Sequence, residues 1–204
     1  MKPHTTELET SKFSTTPKVP ISLDPPTQAK LYSELELMIC ATANKVLLDQ
    51  HRHGRLSPDS IAKVKNFWAS KNRPQVVQFQ YDQATQRDLI LYNIRTSAFN
   101  GESARNQVLL NAIMYDWKTV AKEMSVRTFC YPDGVIRKHM HDTYKILEML
   151  GAPLVTFLAF QELQVNALAV MKNHDEKKLS MSTASGWNGS GGYWYPEDYE
   201  QDRS

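Results

Sequence analysis

The strongest constraint in this sequence is a set of paired start and stop signals, each bracketing an apolar pattern of helical period. Asp24-Pro25-Pro26-Thr27 opens such a segment, and Leu31, Leu35, Met38, Ile39, Val46 and Leu47 follow at spacings of three, four and seven. His51-Arg52-His53-Gly54 closes it with basic groups and a glycine, which suits the negative end of a helix dipole and a left-handed cap. Ser57-Pro58 opens a second helix with Ile61, Val64, Phe67 and Trp68 on its apolar face, and Asn72-Arg73-Pro74 stops it. A third helix runs to about Met124 with Leu109, Ile113, Trp117, Val120, Ala121 and Met124 on one face. Asp133 is the expected N-cap of a fourth helix, which Gly151 and Pro153 terminate near Leu150. A fifth helix is expected from Pro153 to Lys172.

Between the second and third helices the period changes to two. Val76-Val77-Gln78-Phe79-Gln80-Tyr81 alternates, a short polar link follows, and Leu89-Ile90-Leu91-Tyr92-Asn93-Ile94 is again β-branched and aromatic. That predicts an antiparallel β-hairpin over about 75–95, which must pack on the helices or pair with another strand. The expected fold is mainly α (α+β): five helices with one inserted hairpin, in a single domain over 27–172. Residues 1–26 and 173–204 are rich in Ser, Thr, Pro and Gly or in acids, and bury too little apolar surface to offset their ordering entropy. Both are expected to be disordered tails.

The 204 residues carry a net charge of only +2. Residues 1–28 are neutral, and residues 173–204 set Lys177, Lys178 and Arg203 against six acids. The middle therefore holds all of the basic excess, which permits anionic partners without requiring them. Cys40 and Cys130 form no Cys-x-x-Cys pair, so a reducing compartment is expected. The first residues lack an apolar core segment of a secretory signal. The most apolar run, Leu154–Met171, is interrupted by Gln161, Glu162, Gln164 and Asn166, and reads as a core helix instead of a membrane span. These features place the chain inside the cell, in nucleus or cytoplasm.

No catalytic motif is legible. Cys130, His139, His141 and Asp142 contain the inventory for a metal site or a thiol nucleophile. However, residues two apart on a helix point about 200° apart, so the two imidazoles cannot converge on one ion. Cys130 lies between aromatics, an environment that blunts a thiol. No Gly-rich phosphate loop, Gly-x-Ser-x-Gly or His-Glu-x-x-His occurs, and no cofactor is implied.

Anionic recognition has better candidates. Arg137, Lys138 and His141 share much of one face of the fourth helix, Lys118 and Lys122 are four apart on the third, and Arg127 lies in the connection. The stretch Leu109–Met124, with Asp116-Trp117 followed by Val120-Ala121, resembles the first two helices of Myb/SANT modules. That resemblance implies a turn before Trp117 and contact with DNA. One continuous helix explains the same residues, and no glycine breaks the run before Asp116.

The aromatic residues Trp187, Tyr193, Trp194 and Tyr195, interleaved with acids after a Gly-Ser spacer, form a candidate docking motif. The function expected from these features is that of a non-enzymatic regulatory or adaptor protein working through protein–protein contacts. The alternative is a nucleic-acid-binding nuclear regulator that uses the basic face of the helices at 104–150. A homo-oligomer joined through the hairpin edge is a third expectation about partners.

Overall fold

The computed structural model describes residues 19–185. Six α-helices follow one another: α1 (Pro25–Arg52), α2 (Pro58–Ser70), α3 (Gln83–Tyr92), α4 (Gln107–Val126), α5 (Asp133–Leu150) and α6 (Leu154–Ser185). A single 3-10 turn, Glu102–Ala104, precedes α4. The start signals act as their chemistry dictates. Asp24 and Ser57 each accept a hydrogen bond from the backbone N–H three residues on, and Asn106, which is not one of those signals, does the same at the start of α4. Gly151 ends α5 at φ 69°, a conformation that an L side chain resists, and an added Cβ would run into Asn100.

The hairpin expected at 75–95 is absent, and no strand occurs among the described residues. Its second half is the helix α3. Asp82 accepts from Thr85 N at 2.8 Å, so the residues expected to form the hairpin link are the first turns of this helix. The run Leu89–Tyr92 is apolar because Leu89 and Ile90 are buried in the core, not because it alternates across a sheet. Its first half, Val76–Tyr81, belongs to an irregular connection. There the alternating aromatics find separate partners: Phe79 stacks against His51 and Tyr81 against Trp68. A short apolar run does not distinguish a strand from a buried helical turn, and the Asp82 cap decides the matter. Without a strand there is no sheet edge among the described residues, so the edge-to-edge route to a homo-oligomer lapses with the hairpin.

The core lies between α1, α3, α4 and α5. Leu35, Ile39, Leu47, Leu89, Trp117, Val120, Ile136, Ile146 and Leu147 are wholly removed from solvent. α4 is continuous through Asp116-Trp117, which overturns the turn implied by the Myb/SANT resemblance. The segment before α1 is also tied down. Gln28, fully buried, donates to the carbonyls of Leu23 and Tyr131 and accepts from Tyr131 N. Among the described helices α6 packs on α1 and α5 alone, and it continues beyond residue 172 to Ser185, so the boundary expected at 173 falls within a helix.

Candidate functional site

The six basic candidates do not form one face. Lys118, Lys122, Arg127, Arg137, Lys138 and His141 are all exposed. Lys138 is neutralised in place: its Nζ lies 2.5 Å from Asp142 and 3.8 Å from Asp116, and the Asp142 bond raises its pKa above the ordinary lysine value. Arg127 is the left-handed residue that ends α4, at φ 54°. Asp116 lies on the α4 flank that meets α5, as its contact with Lys138 shows. At 100° per residue, Lys118 and Lys122 lie about 120–160° around the helix from it. Glu123, which accepts from the Tyr131 hydroxyl at 3.0 Å, shares the Asp116 flank. A phosphate backbone running from the α4 lysines to Arg137 would thus pass two carboxylates. The sequence pattern could place each cation on its own helix, but not the acids between the helices.

The candidate thiol and imidazoles are also kept apart in role. Cys130 and His141 are exposed, whereas His139 is buried and hydrogen-bonded through Nδ1 to the Tyr32 hydroxyl at 2.8 Å. None of five surface cavities among the described residues is lined by Cys130, His139 or His141. No group of three or more His, Cys, Asp or Glu side chains among the described residues is placed to hold a metal ion. Burial pushes the Cys40 thiol up to about 12, with Glu36 and Asp82 adding to the shift, so it is protonated at neutral pH.

Two polar clusters were not legible in the sequence. Tyr32, Tyr131 and His139 form a mutual edge-on trio with ring centroids 5.4–5.7 Å apart. Ser22 donates from both N and Oγ to the Asp133 carboxylate, at 2.8 and 2.6 Å, and its Oγ lies 2.9 Å from His174 Nδ1. This cluster has a serine–histidine–aspartate inventory in the wrong order for catalysis. The serine proton is held by the carboxylate, and the carboxylate does not orient the imidazole. Its effect is to fasten the segment before α1 to the start of α5 and to the second half of α6, and Asp133, the first residue of α5 and not its cap, has its carboxylate turned to Ser22. These contacts span 111 and 152 residues of sequence, beyond any local pattern.

Burial holds the His139 pKa below its ordinary value, against the pull of Asp142 and Glu123. The folded state therefore prefers the neutral ring. Above the unfolded value of 6.5 both states are neutral and the full stability is present. As pH falls below it, the unfolded chain takes up a proton that the folded chain refuses, and stability declines. Urea unfolding at about pH 7.5 and about pH 5.5 should show a loss of stability in wild type. That loss should be smaller in Tyr32→Phe/His139→Phe, which removes the titrating ring and its hydroxyl partner together. An equal loss in both proteins would show that His139 does not carry it.

The feature that stands out is α6. Its first part, Leu154–Met171, is mostly apolar, yet among the described side chains of α6 only Phe160, Ala167 and Met171 are buried. Leu154, Leu158, Val165 and Ala169 recur at four, seven and four, which puts them on one outward stripe about 22 Å long. Leu154 is 73%, Val155 70%, Leu158 56% and Val165 64% exposed, so the stripe is open to solvent and is not the core helix expected from the sequence. By length and composition alone, Leu154–Lys177 would reach across a membrane, with 17% of its most apolar stretch buried. The aromatic motif Trp187, Tyr193, Trp194 and Tyr195 lies outside the described residues. Comparison with protein-family models, with curated proteins and with solved structures gives no match.

Proposed function

We propose that this chain is a non-enzymatic regulatory or adaptor protein that works by protein–protein contact, with the outward stripe of α6 receiving an apolar helix face of another protein. The observation that carries this reading is the row Leu154, Leu158 and Val165, left bare on a helix whose opposite side is anchored by Phe160, Ala167 and Met171. Bare apolar stripes of this kind are costly in water and are matched by amphipathic helices at i, i+4 spacing.

A protein fits this stripe better than a bilayer does. Insertion as a span would strip α6 from α1 and α5 and expose the anchor residues. It would also carry Glu162, on the outward side, into hydrocarbon, where a charged side chain costs about 3 kcal/mol. The nucleic-acid alternative has no observation of similar weight, because acids separate its candidate cations.

The test is retention of partners by immobilised protein. Wild type and Val108→Asp, which alters an exposed apolar residue on α4, should retain a common set of proteins. Leu158→Asp/Val165→Asp should lose that set. Retention of the same set by all three would refute the α6 surface. Co-flotation of wild type with neutral lipid vesicles, abolished by the α6 double substitution, would replace a protein partner with a membrane.

A further inference from the structure

We propose that the groove between α2 and the connection 71–82 is a binding site for a small planar aromatic anion. The groove encloses about 370 Å³, within the range of small-ligand sites, and Lys65, Asn66, Trp68, Arg73, Val76 and Tyr81 line it. Among the five cavities it is the one with an indole in its wall.

The connection that forms one wall is long, irregular and held under strain. Asn72, Gln78 and Phe79 have φ of 52°, 50° and 61°. Asparagine tolerates that region, whereas a glutamine followed by a phenylalanine costs of order 1 kcal/mol or more at each position. The surroundings hold them there. Asn44 donates to the Gln78 carbonyl, Gln86 donates to the Phe79 carbonyl at 3.1 Å, and the Phe79 ring stacks on His51 at 5.3 Å. Trp68 Nε1 donates to the Pro74 carbonyl at 2.7 Å, and Arg73 bonds to Asp82 across the base of the connection. Irregular connections of this length in a helical domain are uncommon outside functional loops.

The lining decides the ligand. Tyr81 meets Trp68 edge-on at 5.1 Å and the Arg73 guanidinium lies over the indole at 4.4 Å, so three flat groups already meet at the wall. Arg73 is neutralised by Asp82 and offers a flat surface more than a free charge. Lys65 has no ion-pair partner among the described residues and supplies the uncompensated cation at the rim. A flat ring against the aromatic wall, with a carboxylate or phosphate reaching Lys65, satisfies both.

The experiment is an NMR titration of nitrogen-15-labelled full-length protein that follows the Trp68 indole N–H. Adenosine monophosphate is the probe, with adenosine and inorganic phosphate as its two halves and salicylate as an unrelated planar anion. The monophosphate and salicylate should shift the Trp68 signal saturably. Each half alone should bind about tenfold more weakly or less. Lys65→Ala, a surface change, should weaken the monophosphate about three- to fivefold, the scale of one exposed ion pair. No Trp68 shift by about 10 mM monophosphate would overturn the proposal. So would inorganic phosphate matching the nucleotide, or unchanged affinity in Lys65→Ala.

Discussion

Replacing Trp117 by alanine should destabilise this protein by about 3–5 kcal/mol, enough to unfold much of it at ambient temperature if its stability is ordinary. Trp117 is the largest side chain wholly removed from solvent, and it faces inward from α4, the helix in contact with α1, α3 and α5. The cost arises from lost transfer energy and from a void that the close-packed core around it cannot fill. Its indole nitrogen is buried and has no hydrogen-bond partner in the protein. Both substitutions remove that unpaired donor, so Trp117→Phe should cost clearly less than Trp117→Ala because its ring keeps most of the site filled and leaves a smaller void. Chemical unfolding of the two variants checks both statements. Equal losses would mean that a phenyl ring does not fill the site better than an empty void.

Much of this fold can be read from the sequence because helix signals are local. Asp24-Pro25, Ser57-Pro58 and Gly151 each act on backbone groups within one turn, and they set the starts of α1 and α2 and the end of α5, whereas α4 is legible from its apolar period. The region around α3 was misread for a physical reason. Leu89-Ile90-Leu91 satisfies a strand pattern and a buried helical turn equally, and only the Asp82–Thr85 cap separates them. The anchoring of the segment before α1 depends on Ser22 finding Asp133 and His174 across most of the chain, and no spacing rule reaches that far.

The candidate surface on α6 was half legible. The α6 run Leu154–Met171 is mostly apolar, a composition that signals burial, a membrane or a partner, and the sequence alone favours burial. The choice depends on how many neighbours surround the helix, which is a property of the assembled fold: among the described helices α6 packs on α1 and α5 alone. The basic candidates show the converse. Each is exposed, but their grouping depends on Asp116 and Glu123 lying between them, which follows from the way α4 meets α5.

The central claim is that α6 has two unlike sides, one that belongs to the fold and one that does not. Phe160 is 1% exposed and anchors the inner side, whereas Leu158 and Val165 are 56% and 64% exposed. Side-by-side thermal and urea unfolding of Phe160→Ala and Leu158→Asp/Val165→Asp tests this directly. Phe160→Ala should lose about 3–5 kcal/mol, a fall of about 6–20 °C in Tm for a chain of this size. The charged double substitution, far harsher in chemistry, should change stability by no more than about 1 kcal/mol because water already surrounds both positions. If the double variant instead unfolds as readily as Phe160→Ala, the stripe is part of the core and the docking surface does not exist.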